Sequence, residues 1–218
     1  MPFLSTTSRE IPLVLDRSAL LFVDVQNYCC RPDGGEYADM SRDEVERTHG
    51  GFFRQLSEVA LPNMQRLQTA CREAGVEVMY TTIESLTLDG RDRSLDYKIT
   101  GFNVPKGSWD GQVLDAIAPA GDEIVLAKSS SSVFVSTHID YILRNLGVAQ
   151  IVICGVLTDQ CVESAVRDAC DLGYLVTLVP DACATLTEER HSHSLKTIKG
   201  YCRQIGTDAL IAEIAAAR

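Results

Sequence analysis

The sequence of 218 residues has no uninterrupted apolar run near the roughly 20 residues that a membrane-spanning helix needs. Basic residues are in the minority, with 20 Lys and Arg against 30 Asp and Glu, so the formal net charge is −10. This charge disfavours a surface for nucleic acids or anionic membranes. Residues 1–9 have no basic flank followed by an apolar stretch, so a secretory signal is not expected. We therefore expect a cytoplasmic protein that handles small molecules.

The eight cysteines include no C-x-x-C pair and no Cys/His cluster with zinc spacing. A chain of this length, 45% hydrophobic, can form a core without disulfides. Cys71, Cys154, Cys170 and Cys183 lie in apolar or helical patterns and are expected to be structural. Cys161 needs a separate explanation.

Short apolar segments alternate with segments of helical spacing along the whole chain. This alternation, with short connections, predicts an α/β fold: a single domain over 1–218, with 1–16 as an N-terminal extension, built on a doubly wound, mainly parallel sheet with helices on both faces. Polar stretches at 26–51 and 86–107 are expected to be loops, the first functional because of its length and the second a surface excursion. The predicted strands are 19–25, 76–81, 123–128, 150–154 and 174–179, and the predicted helices are 58–74, 137–145, 160–172, 188–200 and 208–216.

The segment 151–165 is expected to be a buried strand that breaks at Gly155 into a tight turn and re-enters a helix near Cys161. At the start of a helix, backbone N–H groups and the positive end of the helix dipole favour a thiolate. The backbone N–H groups of Leu157 and Cys161 are then candidate donors for an oxyanion. The position suits covalent chemistry on a carbonyl.

Asp24, Lys128 and Cys161 follow three separate predicted strands. In a parallel sheet ligands bind at the carboxyl ends of the strands, so the three side chains are expected to meet there. Asp24 can remove the proton of a nucleophilic cysteine, and Lys128 can keep that carboxylate ionised in a dry pocket. Taken one at a time, such residues are more often a turn carboxylate, a solvated lysine and a small buried residue.

Three stretches together resemble the isochorismatase-like cysteine hydrolase family. They are Phe-Val-Asp-Val-Gln-Asn at 22–27, Lys128 with the polar run into Phe134, and Gly-Val-Leu-Thr-Asp-Gln-Cys-Val-Glu-Ser-Ala at 155–165. The resemblance extends from 19 to 184 and implies a Rossmann-like three-layer sandwich. It also implies a catalytic triad of Asp24, Lys128 and Cys161, a cis peptide between Val156 and Leu157 that aims the Leu157 N–H into the oxyanion hole, and a homodimer or homotetramer.

The retained cysteine narrows the activity that the resemblance implies. Family members that cleave the vinyl ether of isochorismate commonly lack it, so Cys161 points to hydrolysis of a C–N bond through a thioester, with release of ammonia. The stretches around Lys128 and Cys161 are most similar to the branch that hydrolyses biuret, triuret, ureidoacrylate and N-carbamoyl compounds. An isochorismatase-like ether hydrolase and a nicotinamidase-like amidase stay open as alternatives. A non-enzymatic thiol sensor is disfavoured because it has no use for the pair Asp24 and Lys128.

No metal or other cofactor is expected. Nicotinamidase-type relatives carry an Asp-x-His pair and a further His between the Asp and Lys motifs, whereas this interval contains only His49. His191 and His193 are two apart in a predicted helix, so they face different sides and are expected to have surface or packing roles. His138 is expected near a helix start.

The residues that contact the substrate are less defined. Five positions after the aspartate, where relatives often have a phenylalanine, this chain has Cys29, so Tyr28 or the loop 30–37 is expected to shape the pocket. A ureido compound needs polar partners, because a buried polar group left unpaired costs about 1–3 kcal/mol. The candidates are Asn27, Tyr28, Glu84, Arg91 and Gln204, each of which is also explained as an ordinary surface or structural residue.

Overall fold

The computed structural model describes residues 8–218, and six strands form one parallel sheet among them. The strands are β1 (Ser18–Val23), β2 (Glu77–Ile83), β3 (Ile124–Lys128), β4 (Gln150–Val156), β5 (Leu175–Ala184) and β6 (Arg203–Gln204). Their order across the sheet is β3-β2-β1-β4-β5-β6, and every neighbouring pair is parallel. The order changes direction between β1 and β4, which is where open α/β sheets bind ligands.

Helices cover both faces of this sheet, as predicted. The α-helices are α1 (Asn27–Cys30), α2 (Arg42–Gln55), α3 (Leu61–Glu73), α4 (Leu95–Thr100), α5 (Val133–Ser136), α6 (Ile139–Asn145), α7 (Glu163–Asp171), α8 (Glu188–Ile198) and α9 (Thr207–Ala216). Helices α3 and α9 pack on each other and on β5, whereas α7 packs on β5 and also contacts α5 and α8. Within residues 8–218, no helix combines the length and apolar content required to cross a bilayer.

The central strands are buried on both faces, which explains their nearly continuous apolar sequences. Every residue of β1 and β4 is buried. Phe22 in β1 stands opposite Tyr80 in β2, and the two rings stack with their centroids 5.3 Å apart. Cys71, Cys154 and Cys183 are fully buried, and all eight cysteines are free thiols. The cysteines in this core therefore behave as small apolar residues.

The sequence predicted that β4 breaks at Gly155. In the structure the strand continues through Gly155 and ends at Val156. Gly155 has a φ of +129°, and a Cβ there would lie 2.2 Å from the carbonyl oxygen of Val23. Only glycine lets the two backbones approach so closely. The pairing of β4 with β5 also shifts register between Ile153 and Gly155. The regular parallel pairing of β4 with β1, which ends at Val23 and Gly155, places the chain after β4 beside the end of β1.

Both polar stretches expected to be loops contain helices. The stretch 26–51 includes α1 and most of α2, whose first turn is capped by the Ser41 hydroxyl accepting the Glu44 N–H at 3.3 Å. This Ser-x-x-Glu pattern is the sequence signature of a capping box, and it indicates the start of α2 that the sequence prediction missed. The stretch 86–107 includes α4. The two-residue strand β6 was also missed, because so short a strand has no readable periodicity.

Two helix starts differ from the prediction. The helix predicted at 58–74 begins with a π-helical turn, Leu56–Ala60, that runs on from α2 into α3. The helix predicted at 160–172 begins with a second π-helical turn, Thr158–Val162, followed by α7. Cys161 lies in this second turn.

Part of the predicted N-terminal extension is bound to the body of the protein. The Leu13 N–H donates to Glu213 at 2.8 Å, and the Val14 N–H donates to Gln150 at 2.6 Å. Glu213 is also paired with Arg203, which is only 10% exposed. Residues 1–7 of the predicted extension lie outside the described residues.

Candidate active site

Three side chains that are far apart in the sequence meet at the carboxyl edge of the sheet. Asp24 follows β1, Lys128 ends β3, and Cys161 lies in the turn after β4. Lys128 Nζ is 2.8 Å from Asp24 Oδ2 and 3.3 Å from Cys161 Sγ. The exposed fractions of the three residues are 1%, 0% and 5%. The structure thus brings together the three residues that the sequence singled out, at the point where the strand order reverses.

Strand β2, which lies between β1 and β3, supplies a residue that sequence reasoning missed. The Thr81 hydroxyl donates to Asp24 Oδ1 at 2.7 Å and accepts the Asp24 N–H at 3.2 Å. These bonds hold Asp24 in a left-handed backbone conformation, with a φ of 56°, that is uncommon for a residue other than glycine. Asp24 Oδ2 has the ion pair with Lys128 but receives no hydrogen bond of normal geometry. That oxygen is left available to accept a proton.

Burial and the neighbouring charges determine the protonation states of Lys128 and Cys161. Burial alone would lower the pKa of Lys128, but the attraction of the Asp24 carboxylate outweighs it and raises that pKa, so the side chain is an ammonium ion. Burial raises the pKa of Cys161 to about 12, with Lys128 opposing and Asp24 adding to the shift. The resting sulfur is therefore a thiol. The expectation that this position favours a thiolate was wrong, because Cys161 is buried in a π-helical turn ahead of α7.

The turn after β4 carries the predicted oxyanion donors. The peptide bond between Val156 and Leu157 is cis. Within the part of the chain that the structure describes, the Leu157 N–H has no hydrogen-bond acceptor, while its carbonyl oxygen accepts from the N–H groups of Gln160 and Val162. An oxyanion hole requires an N–H group that is fixed in position and has no hydrogen-bond acceptor within the protein. The roles of Leu157 and Cys161 as donors to an oxyanion stay a prediction.

An aromatic cover from the segment 86–107 lies over the nucleophile. The Tyr97 hydroxyl is 3.4 Å from Lys128 Nζ and 3.8 Å from Cys161 Sγ. The Tyr97 ring stacks on Phe102 at 5.4 Å between centroids, and Phe102 packs on Tyr28 at 5.6 Å. The prediction that this segment is a surface excursion was therefore wrong. Ser94 as the N-cap of α4 and Gly101 as its C-cap were the signals available in the sequence.

Of the five proposed substrate contacts, Tyr28 is the one that the structure joins to this cover. The other four form contacts with the protein itself. Asn27 donates to the carbonyl of Trp109 at 2.9 Å, Glu84 accepts the Gly107 N–H at 2.6 Å, Arg91 pairs with Asp89 at 3.0 Å, and Gln204 donates to the carbonyl of Leu195 at 2.7 Å. The roles of these four side chains as substrate contacts stay a prediction.

Cys29 occupies the position where relatives often have a phenylalanine, and its side chain points towards the backbone of Asp24. Its thiol donates to the Asp24 carbonyl oxygen at 3.4 Å, and the Cys30 sulfur lies 3.8 Å from the Cys29 sulfur. The contact with Cys30, with burial, raises the pKa of the Cys29 thiol well above its ordinary value. Burial and the contact with Cys30 thus favour the protonated thiol form of Cys29.

His191 takes a packing position, whereas His138 and His193 are exposed. His191 Nδ1 lies 2.9 Å from the Thr158 hydroxyl, and burial lowers the pKa of His191. His138 is the N-cap residue of α6. Among residues 8–218, no three His, Cys, Asp or Glu side chains are grouped so as to hold a metal ion.

The family model described as isochorismatase domain matches residues 18–209. A cysteine hydrolase from Pseudomonas syringae pv. phaseolicola 1448A is 25% identical, with 99% of this chain and 100% of that chain covered and a TM-score of 0.82. An isochorismatase family protein from Desulfovibrio vulgaris subsp. vulgaris str. Hildenborough is 22% identical, with coverages of 91% and 98% and a TM-score of 0.74. An N-carbamoylsarcosine amidase from Thermoplasma acidophilum is 23% identical, with coverages of 88% and 97% and a TM-score of 0.67.

Proposed function

The chain belongs to the isochorismatase family of hydrolases, and we propose that within it the protein is a cysteine amidohydrolase that cleaves the C–N bond of a small ureido or carbamoyl amide. The observation that carries this proposal is the buried group of Asp24, Lys128 and Cys161, in which a carboxylate oxygen without a hydrogen bond lies beside a lysine that contacts the sulfur. A thiol with a raised pKa needs a base close to it, and a buried carboxylate needs a cation.

In the first stage of the proposed reaction, Asp24 takes the thiol proton and Cys161 Sγ attacks the carbonyl carbon of the substrate. Lys128, 3.3 Å from Sγ, stabilises the negative charge as it forms on sulfur. The oxygen of the tetrahedral intermediate then accepts the backbone N–H groups of Leu157 and Cys161. When the intermediate collapses, the C–N bond breaks and Asp24 returns the proton to the leaving nitrogen, which departs as ammonia or an amine.

In the second stage, water hydrolyses the acyl group on sulfur. Asp24, again ionised, takes a proton from the water as its oxygen attacks the thioester carbonyl carbon. The C–S bond breaks, the carboxylic or carbamic acid leaves, and the proton returns to Cys161. One carboxylate thus acts as base and then as acid in each stage, as general acid–base catalysis with a single group requires.

The ureido or carbamoyl class is supported by three observations. The nucleophile position holds a cysteine, which C–N hydrolysis through an acyl-sulfur intermediate needs. The similar structures include an N-carbamoylsarcosine amidase. A buried triad under an aromatic cover also suits a small neutral amide, because the polar groups of a bulky or charged substrate would have to lose their water.

We include a homodimer or homotetramer in the same proposal. Several apolar side chains outside α4 are exposed: Val125 in β3, Val135 in α5 and Leu146 after α6, at 45%, 75% and 44%. Contact with a second copy would remove this apolar surface from water. Light scattering coupled to gel filtration tests it, and a monomer mass at micromolar concentration would refute it.

Ammonia release over a panel of amides tests the proposed activity. The panel is biuret, triuret, ureidoacrylate, N-carbamoylsarcosine, nicotinamide and maleamate, with isochorismate assayed separately for ether hydrolysis. We expect turnover of a ureido or carbamoyl compound that Cys161→Ala lowers by at least about a thousandfold. Cys170→Ala, which changes a half-buried thiol outside the site, is the matched control and should keep full activity.

Each alternative gives a different result in that assay. Turnover of isochorismate without ammonia from any amide would favour an ether hydrolase. A preference for nicotinamide would favour the nicotinamidase-like alternative. Full activity of Cys161→Ala towards the preferred amide would refute the proposed nucleophile.

A further inference from the structure

Helix α4 covers the nucleophile with a single side chain. Tyr97 is the one residue of Leu95–Thr100 that is buried, at 4% exposure, while Leu95 and Ile99 are 73% and 75% exposed. Although Tyr97 is far from Cys161 in the sequence, its hydroxyl lies 3.8 Å from the sulfur. Cys161 itself is 5% exposed, and Tyr97 is one of the buried side chains that contact its sulfur.

The Tyr97 hydroxyl also faces the cation of the triad. Lys128 Nζ donates to it at 3.4 Å, and the same nitrogen lies 5.9 Å from the centre of the Tyr97 ring. For attack on sulfur, a carbonyl carbon must come within about 3–3.5 Å of Sγ. The phenol now lies next to both the sulfur and the ammonium. On this side of the sulfur, a substrate can therefore approach Cys161 only if the Tyr97 hydroxyl moves.

The attachment of α4 suits such a movement. At its start, the Ser94 N–H donates to the Ser129 carbonyl at 2.9 Å, and the Ser94 hydroxyl accepts the Tyr97 N–H at 3.2 Å. At its end, Gly101 has a φ of +83°. A helix of six residues with one buried side chain has little packing to lose, and such elements open at low free-energy cost. Tyr97 can thus move with its helix.

We propose that Tyr97 is a specificity-determining residue of this site, whose ring limits the size of the molecule that reaches Cys161. A short planar amide passes beneath the ring once the hydroxyl withdraws from the sulfur, whereas an amide with an aryl substituent on nitrogen meets the ring. The inference rests on the proposed function in one respect, that Cys161 is the nucleophile. Substrates are then selected by how well they fit against the Tyr97 ring and by whether they can pass it to reach Cys161.

Alkylation of Cys161 by two iodoacetamides of different size tests this inference without a substrate. The probes are iodoacetamide and N-phenyl-iodoacetamide. In each case the Cys161 sulfur forms a bond to the methylene carbon, iodide leaves and the thiol proton goes to the base. Peptide mass spectrometry follows modification at Cys161 separately from the other thiols. The variants are Tyr97→Ala, Tyr97→Phe and, as the matched control, Tyr141→Ala at an exposed tyrosine of α6.

We expect Tyr97→Ala to raise the rate ratio of the phenyl probe to iodoacetamide by about tenfold or more. Tyr97→Phe, which keeps the ring, and Tyr141→Ala should keep the ratio of the parent protein. An unchanged ratio in a folded Tyr97→Ala would overturn the inference. If circular dichroism shows that Tyr97→Ala is unfolded, Tyr97→Leu provides the same test with a smaller expected change in the same direction. A changed ratio without ammonia release from any amide would refute the proposed function and leave this inference standing.

Discussion

Replacing Lys128 by methionine isolates the interaction on which the site depends. Methionine keeps most of the side-chain volume but removes the ammonium, which leaves the Asp24 carboxylate 1% exposed and without its cation. At the observed separation of 2.8 Å, and with an effective dielectric constant of about 20, the direct attraction is about 6 kcal/mol. Part of that attraction offsets the loss of water around the two charges. We therefore expect Lys128→Met to lower the free energy of unfolding by about 3–5 kcal/mol.

The double variant Asp24→Asn/Lys128→Met shows whether the loss comes from the unpaired charge. With both charges absent, stability should return to within about 2 kcal/mol of the parent protein, since replacing a whole buried pair is often close to neutral. Arg54→Met is the matched control, because Arg54 pairs with Glu46 at 2.6 Å but both side chains are more than half exposed. It should change stability by less than about 1 kcal/mol.

Urea unfolding followed by far-ultraviolet circular dichroism at pH 7 measures all of these variants. A loss below about 1 kcal/mol for Lys128→Met, or strictly additive losses in the double variant, would refute the argument that the buried ion pair holds the site together.

Three further predictions follow from burial and backbone geometry. Because burial raises the pKa of Cys161 to about 12, its alkylation by iodoacetamide should still be accelerating above pH 9; a plateau at or below pH 9 would contradict this. Burial raises the pKa of Glu36 from 4.5 to about 7, so between these pH values the folded state keeps a proton that the unfolded chain has released. The stability that this proton binding gives the folded state is lost as pH rises through 7. In urea titrations Glu36→Gln should therefore be more stable than the parent by about 3 kcal/mol at pH 8.5 and nearly equal at pH 4.5. Gly155→Ala places a Cβ 2.2 Å from a backbone oxygen and should lose about 3–5 kcal/mol in thermal unfolding, and parent-like stability would contradict the close approach of β4 to β1.

The predictable part of the site comes from residues that close apolar strands. Asp24 and Lys128 each follow a short apolar run, and Cys161 follows a third, so the alternation of strands and helices is enough to place them on one edge of a parallel sheet. Five of the six strands were predicted for the same reason. Their sequences are apolar because both faces of the sheet are covered.

Thr81 and Tyr97 could not be predicted in this way. Thr81 bonds to Asp24 because β2 lies next to β1, and strand order is a property of the tertiary structure rather than of the β2 sequence. Tyr97 lies on a helix too short to show a helical period, with exposed Leu95 and Ile99 around it. The protonation of Cys161 was predicted wrongly because it depends on burial, which the turn sequence alone does not define.

Trapping of the acyl group on sulfur tests the central claim most directly, that Cys161 is a nucleophile activated by Asp24 and Lys128. The preferred ureido or carbamoyl substrate is mixed with the protein, quenched with acid within milliseconds, and analysed by intact-mass and peptide mass spectrometry. The account predicts one acyl adduct on Cys161 that decays with turnover, is absent in Cys161→Ala and forms far more slowly in Asp24→Asn. Turnover with an adduct on another residue, or an Asp24→Asn protein that acylates at the parent rate, would contradict it.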